Sequence, residues 1–214
     1  MDVKELDIAR IADGRLDVAD ANEHLAALPQ HSIDILNWPA FDYRPNVRFA
    51  AGYGGGDLCV RFAVEEDAVL AEKTETNDSV CQDSCVEMFI APHSDVYFNF
   101  EFNCIGTALV GRGRGRHDLE CLDPSLIGSI RRSSSLGSEP FPERRERTAW
   151  QLTVAIPLTI LGLNEDDLPG HTCRANFYKC GDRLSQPHYL SWNPINTPTP
   201  DFHRPECFGV VRFS

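Results

Sequence analysis

Amide and carboxylate side chains alternate with aromatic ones along two stretches of this sequence, which makes them the groups best placed to bind a polar ligand. In YFNFEFNC, at 97–104, Asn99 and Glu101 share one face with a tyrosine while three phenylalanines occupy the other. In CRANFYKC, at 173–180, one face carries Arg174, Asn176 and Tyr178. A strand commonly buries one face and presents the other. If the two strands share a sheet, these side chains line one polar floor.

A proline-rich segment at 174–208 supplies further candidate groups. It holds five of the fourteen prolines, and proline reduces the entropy that a loop loses when a ligand orders it. Aromatic rings pack against the C–H face of a sugar, and polar side chains bind its hydroxyls. The candidates here are Trp192, His188, Tyr189, Asp201, His203 and Arg204. Alternatively, the segment closes a core, with Trp192 and Phe208 as packing residues.

The carboxylates of the floor allow two further interpretations. Glu87, Glu101 and Arg174 could form a structural ion-pair network beneath a loop, since buried charges need partners. Glycoside hydrolysis requires two carboxylates flanking the scissile bond, which Glu87 with Glu101, or Asp83 with Asp201, could supply. Any chain with 32 acidic residues offers such pairs, so the pattern predicts no catalytic residue.

Motifs for nucleophilic catalysis, nucleotide binding and compact zinc sites are missing from the sequence. It contains no GxSxG, and no GxGxxG follows a predicted strand. CQDSC at 81–85 has no second cysteine pair, and His188, His203, Cys180 and Cys207 match no compact zinc spacing. Calcium held by loop oxygens stays open as a cofactor, although no EF-hand spacing is present.

Size and charge favour an ordinary globular protein. The 214 residues predict a single domain, 1–214. A net charge of −12 repels nucleic acid, and no long apolar run indicates a membrane span. The start of the sequence lacks the pattern of a signal peptide, which predicts a cytoplasmic protein, or a secreted or periplasmic one if a leader was removed. We therefore expect the eight cysteines to be mostly reduced and buried. The oligomeric state is not indicated.

Short strands separated by turn residues must position these groups. We predict strands at 1–10, 32–38, 47–51, 58–64, 83–90, 97–104, 150–158, 173–180 and 208–214, and a weaker one within 125–135. Turns are expected at 52–56 (GYGGG) and 93–96 (HSDV), and a mobile connection at 133–148. A short helix is predicted at 20–28 with Asp20 as its cap, and a helical turn at 158–162. This pattern is typical of an all-β fold, an antiparallel β-sandwich of immunoglobulin or jelly-roll type.

Several long motifs resemble the family 9-like carbohydrate-binding domains. They are DSCVEMFIAP, YFNFEFNCIGT, RANFYKCGD, HYLSWNPI and PDFHRPECFG. The resemblance covers about residues 30–214 and is closest to the free-standing bacterial branch of this DOMON-like group. It implies a β-sandwich that binds a saccharide, often at a chain end, between two tryptophan rings, and that can carry structural calcium. By position, Trp192 is similar to one ring and Trp38 to the second, while Trp150 lies in a strand of core type.

Together, these observations predict non-catalytic binding of a neutral saccharide by ring stacking over a polar floor. One alternative is an enzyme that acts on a saccharide derivative, using the His and carboxylate groups of the same floor. The other is a protein-interaction domain whose polar core is sealed.

Overall fold

Two curved β-sheets packed face to face form the described part of the chain, residues 3–93 and 96–214 of a computed structural model. This arrangement confirms the predicted β-sandwich. The strands are β1 Glu5–Ala12, β2 His31–Ser32, β3 Ile35–Leu36, β4 Asn46–Gly54, β5 Asp57–Glu66, β6 Val69–Ala71, β7 Cys85–Ala91, β8 Tyr97–Asn103, β9 Ala108–Gly113, β10 Glu120–Cys121, β11 Arg131–Ser134, β12 Phe141–Arg144, β13 Thr148–Pro157, β14 Thr172–Cys180, β15 Tyr189–Ser191 and β16 Gly209–Phe213.

The helical elements are few and short. They are α1 Val18–Ala27 and α2 Pro124–Gly128, with 3₁₀ turns at Val80–Gln82, Leu158–Leu161, Glu165–Asp167 and Pro205–Cys207. Among the described residues, no helix has the length and apolar character needed to cross a membrane.

Strand β1 takes part in both sheets. Its residues 5–8 pair in parallel with β16, in sheet A, which runs β10–β9–β8–β7–β14–β16–β1. Its residues 9–12 pair in parallel with β4, in sheet B, which runs β1–β4–β5–β13–β11. The other described strand pairs are antiparallel, as the sequence predicts. One continuous strand therefore ties the two sheets together.

The core between the sheets is built from the apolar faces that alternation predicts. Buried there are Val86, Met88 and Ile90 of β7 and Phe98, Phe100 and Phe102 of β8. At its centre, Phe49 of β4 stacks on Phe177 of β14 with ring centroids 3.8 Å apart. Trp192 packs edge-on against both rings, at 6.0 Å and 5.8 Å, and is 2% exposed. Trp192 is therefore a core residue, as the packing alternative for the C-terminal segment expects.

The glycine-rich stretch GYGGG forms a tight hairpin between β4 and β5, at the predicted turn. Gly55 and Gly56 both have positive φ, at 60° and 84°, which is the backbone that two-residue hairpin turns require. A Cβ on Gly55 would also lie 2.3 Å from backbone atoms of Arg15. Glycine is needed here for both conformation and space.

Helix α1 begins earlier than predicted, and its cap is a different residue. The side chain of Asp17, not Asp20, accepts the hydrogen bond, from the Asp20 amide at 2.8 Å. Asp20 lies in the first turn, where its charge favours the helix dipole. The helix buries Ala21 and Leu25 against Cys59 and neighbouring residues on the outer face of sheet B.

The connections between strands are more regular than predicted. The first half of 125–135 is α2, because Pro124 suits the first helical position and Asp123 accepts from the Ser125 amide at 2.8 Å. Only β11 of that region is a strand. The expected mobile connection, 133–148, contains β12, which pairs with β6. The region 32–38 holds parts of two very short strands, β2 and β3. The turn predicted at 93–96 includes 94–95, which lie outside the described residues.

Replacing Trp192 by alanine is expected to lower the free energy of unfolding by about 3 to 5 kcal/mol, because it leaves a cavity beside the Phe49–Phe177 stack. Urea denaturation of the purified protein measures this. Leu126→Ala is the control, since that side chain is 47% exposed and should change stability by less than about 0.5 kcal/mol. A Trp192→Ala protein as stable as this control would contradict the core placement.

Candidate functional site

Sheet A carries a row of polar side chains on the face turned away from the sandwich core. The register sets Tyr178 of β14 opposite Glu87 of β7, and Glu87 opposite Glu101 of β8. One rung away, Asn176 and Asn99 lie on either side of Phe89. The side chains that alternation grouped into a floor thus share one face of three adjacent strands.

The segment 193–208 covers this face, held by the floor residues of β14. Arg174 donates from Nη2 to the carbonyl oxygens of Glu206 at 3.0 Å and Phe208 at 2.8 Å. Tyr178 donates its hydroxyl to the Phe202 carbonyl at 3.1 Å, and the two rings stack with centroids 4.2 Å apart. Both side chains therefore position the covering segment; Tyr178 is fully buried beneath it, whereas Arg174 lies exposed at its edge and outside the cavity.

Asn176 also holds the covering segment, through hydrogen bonds to the backbone of Asn193. Its Oδ1 accepts from the Asn193 amide at 2.8 Å and from the Phe177 amide at 2.9 Å. Its Nδ2 donates to the Asn193 carbonyl at 3.0 Å. The side chain is fully buried, so the hydrogen-bonding capacity of this predicted ligand residue is used within the protein.

Between the floor and the covering segment lies a cavity of about 210 Å³. Of the predicted ligand residues, Glu101, Tyr189, Asp201 and His203 line it. Other lining residues are Glu87, Asp182, Arg116, Phe202, Cys81 and Cys180. A larger groove of about 730 Å³ borders α2, but its described lining contains no carboxylate. The smaller cavity is the candidate site because it combines aromatic rings with carboxyl groups.

Three other predicted residues support the cavity walls from behind. The ring of Trp38 meets Tyr189 edge-on at 6.3 Å, and its Nε1 donates to the Thr197 carbonyl at 2.9 Å. Asn99 donates from Nδ2 to Oε1 of Glu101 at 2.9 Å. Arg204 forms ion pairs with Asp201 at 3.7 Å and Glu206 at 2.8 Å.

Two predicted ligand residues, Trp192 and His188, do not line the cavity. Alternation within HYLSW separates them from the cavity: Leu190 and Trp192 point into the sandwich core, whereas Tyr189 packs in the cluster on the outer face. No open face of the Trp192 ring is available for stacking, because the residue is enclosed by the core. His188 is fully buried and 2.9 Å from Lys179 Nζ.

His188 belongs to a buried charge network that the sequence does not reveal. Lys179 Nζ lies 2.9 Å from Oε2 of Glu66, while Oε1 of Glu66 accepts from Nε1 of Trp150 at 2.7 Å. Burial and the Lys179 charge lower the pKa of His188 to about 2. The imidazole is therefore neutral, with Nδ1 donating to the Gln186 carbonyl and Nε2 accepting from Lys179. None of Glu66, Lys179 and His188 lines the cavity, so this network is separate from it.

Two carboxyl groups of the cavity, Glu87 and Glu101, are buried and have no salt-bridge partner among the described residues. Burial raises the pKa of Glu101 to about 7, against the opposing hydrogen bond from Asn99. Burial, and then Glu101, raise the pKa of Glu87 well above its usual range. Within 3–93 and 96–214, neither carboxyl forms a salt bridge, and Arg174 bonds only to backbone oxygens. The structural ion-pair network of Glu87, Glu101 and Arg174 is therefore wrong.

A sequence model of carbohydrate-binding family 9 matches residues 18–213. The chain belongs to this family. The resemblance seen in the motifs is thereby confirmed. No curated protein matches the chain.

Solved structures of similar proteins agree with the family 9 assignment. A protein of Bacteroides uniformis, described as a candidate carbohydrate-binding protein, has 33% sequence identity and a TM-score of 0.92, with 100% of both chains covered. A family 9 module of Caldicellulosiruptor kristjanssonii in complex with glucose has 13% identity and a TM-score of 0.63, over 99% of this chain and 96% of that one. A family 9 module of the same organism in complex with cellotriose has 12% identity and a TM-score of 0.63, over 99% of this chain and 94% of that one. These two more distant structures share the fold.

Several cavity residues of this family 9 domain were not among the predicted ligand residues. The sequence analysis placed Glu87 on the polar floor, as an ion-pair or hydrolysis candidate, but did not include it among the ligand residues. Asp182 follows the end of β14 and Cys81 lies in the 3₁₀ turn before β7, where the period of two does not apply, and the Asp182 amide donates to the Cys81 carbonyl at 3.0 Å. Contacts of this kind depend on tertiary structure and leave no local signal.

Acid should destabilise the protein partly through His203. Burial, then the charge of Arg116, lower the pKa of His203 to about 4, from 6.5. Below pH 6.5 the unfolded chain binds a proton at His203 and the folded chain does not, so stability is lost as the pH falls toward 4. Between pH 7 and 4, the free energy of unfolding of the wild type should fall by up to about 3 kcal/mol more than that of His203→Asn, as measured by urea denaturation. Parallel stability curves for the two proteins would contradict this placement of His203.

Proposed function

We propose that this chain binds a neutral saccharide, through a terminal sugar residue, in the cavity between the Glu87–Glu101 floor and the 193–208 segment. The observation that carries the proposal is the combination, in one cavity, of an aromatic wall and buried carboxyl groups that lack a cationic partner. Membership of carbohydrate-binding family 9 supports it, as do the glucose and cellotriose complexes of the Caldicellulosiruptor module.

The size of the cavity favours one sugar unit over a length of chain. Its volume of about 210 Å³ is below the roughly 300–1,000 Å³ of pockets that enclose drug-sized ligands. Because the floor is closed and a segment covers it, the cavity accepts the end of a saccharide chain more readily than its middle. The cavity therefore suits a monosaccharide or the terminal residue of an oligosaccharide.

The rings assigned to stacking are Tyr189 and Phe202, in place of Trp192. Both line the cavity, and Trp38 packs against both, with ring centroids at 6.3 Å and 6.0 Å. Phe41 meets Tyr189 edge-on at 4.8 Å. Rings held in this way present a preset apolar surface to the C–H face of a sugar.

The hydrogen-bonding groups suit a neutral ligand. A carboxyl group with a pKa near 7, as at Glu101, is protonated in part of the molecules at neutral pH, so it can donate as well as accept. His203 and Asp201 add further groups, and the exposed Arg116 lies 3.8 Å from Asp201 at the rim. A sugar hydroxyl, which both donates and accepts, can bond to each of them.

Binding is expected to weaken by about 1 to 3 kcal/mol in Tyr189→Ala, a rise in Kd of about fivefold to over a hundredfold, because one stacking ring is lost. Isothermal titration calorimetry with neutral mono- and disaccharides, including glucose, measures this. Tyr43→Ala is the matched control, since Tyr43 is a half-buried tyrosine that packs on His188 outside the cavity. Equal affinities in the two variants, or heat from no sugar in wild type, would count against the site.

Glycoside hydrolysis is the second candidate function, favoured by the buried Glu87–Glu101 pair with raised pKa values. Such a pair can supply an acid and a base, and removing one typically costs about 10² to 10⁴-fold in rate. Under the proposed binding function, nitrophenyl glycosides should release no product. Product that forms with wild type and falls at least about a hundredfold in Glu101→Gln would replace binding by catalysis.

A further inference from the structure

Two thiols that the saccharide proposal does not use meet the carboxyl group of Glu87 beside the cavity. Cys85 of β7 and Cys180 of β14 are directly opposite in the register, and Glu87 lies two residues along β7. One ligand atom from each of the three lies within 4.8 Å of the other two. Cys180 Sγ donates to Oε1 of Glu87 at 3.1 Å, and Cys85 Sγ lies 3.9 Å from the same oxygen.

We propose that Cys85, Glu87 and Cys180 form a site for a thiophilic divalent cation, of which Zn²⁺ is the best match. Zinc binds thiolate sulfur at about 2.3 Å and carboxylate oxygen at about 2.0–2.2 Å in a tetrahedron. Ligand atoms in that geometry are roughly 3.5 Å apart for a sulfur–oxygen pair, and the two observed separations lie on either side of this value. Small side-chain movements complete the site.

The burial of Glu87 is a second reason to expect a cation at this cluster. Its side chain is 2% exposed and lines the cavity, and the two thiols are its described hydrogen-bond donors. Buried carboxylates are normally paired with a cation or bound to a metal. A bound divalent cation would displace the two thiol protons and any proton on Glu87, and the two thiolates and the carboxylate would then neutralise it with one negative charge in excess.

The ligand set also decides the type of metal. Calcium takes oxygen ligands only, so a cluster in which two of three donors are sulfur does not suit it. Thiolates select zinc and similar soft cations. Glu87 and Cys180 line the cavity, so the fourth tetrahedral position faces it and is open to water. This site stands on the geometry of the cluster and does not depend on saccharide binding.

Cobalt substitution tests the proposal. Tag-free full-length protein, treated with chelator and reductant and then dialysed without oxygen, is titrated with Co²⁺. We expect a sulfur-to-cobalt charge-transfer band and visible bands of tetrahedral intensity, saturating near one equivalent and abolished by Zn²⁺. Glu87→Gln should retain sulfur ligation but bind at least about tenfold more weakly. Thiol counting beforehand ensures that no Cys85–Cys180 disulfide has formed.

The cysteine variants locate the metal. Cys85→Ser and Cys180→Ser should lose most of the charge-transfer band. Cys173→Ser, a buried cysteine on the core face of the same strand as Cys180, should keep it. X-ray absorption of zinc-loaded wild type needs no variant, and it should show about two sulfur ligands near 2.3 Å. Absence of the band, its persistence in both cluster variants, or a first shell of oxygen and nitrogen alone would overturn the proposal.

Discussion

The attachment of the C-terminal segment by Asn176 is the interaction on which the cavity depends. The side-chain amide bonds to both the amide and the carbonyl of Asn193, which fixes the segment at one position on sheet A. Each buried polar group left without its partner costs about 1–3 kcal/mol, so a displaced segment is strongly disfavoured. Without this cover, the polar row from Tyr178 to Glu101 would be a solvated sheet face. With it, that face becomes a second core containing ionisable groups.

Loss of water explains the chemistry of this second core. Burial is the largest cause of the raised pKa at Glu87, Glu101 and Asp182, because the charged form of a carboxyl group is disfavoured outside water. A group in that state is stabilised either by neutral hydrogen-bonding ligands or by a cation. Glu101 and the aromatic wall suit the first kind of ligand, whereas Glu87 between two thiols suits the second. One cause therefore supports both the saccharide proposal and the metal proposal, on different carboxyl groups.

Alternation of residues predicted the sheet and the shared face, but not which polar side chains would remain free. Arg174, Asn176 and Tyr178 lie on the predicted face, yet the segment that covers them takes up their hydrogen bonds. The path of that segment is a tertiary property with no local signal. The position of Trp192 was within reach of the sequence, since residues 189 and 192 are three apart and so point to opposite faces of an extended chain. By the same rule, Lys179 lies on the apolar face of CRANFYKC. A lysine on a buried face needs a partner, but the alternation does not indicate that this partner is Glu66.

The apolar residues determine the polar site, because the register of β7 against β14 follows from packing. Val86 and Met88 must face the core, as must Phe177, and this places Cys85, Glu87 and Cys180 together on the opposite face. A slip of one residue would turn each side chain of a strand to the other face, exposing the valine and methionine and burying Glu87 among phenylalanines. The energy that excludes such a slip comes from the core, at about 1.5–3 kcal/mol for each large apolar side chain. The backbone positions of the thiol–carboxylate cluster are therefore fixed by the packing of the core, before any ligand binds.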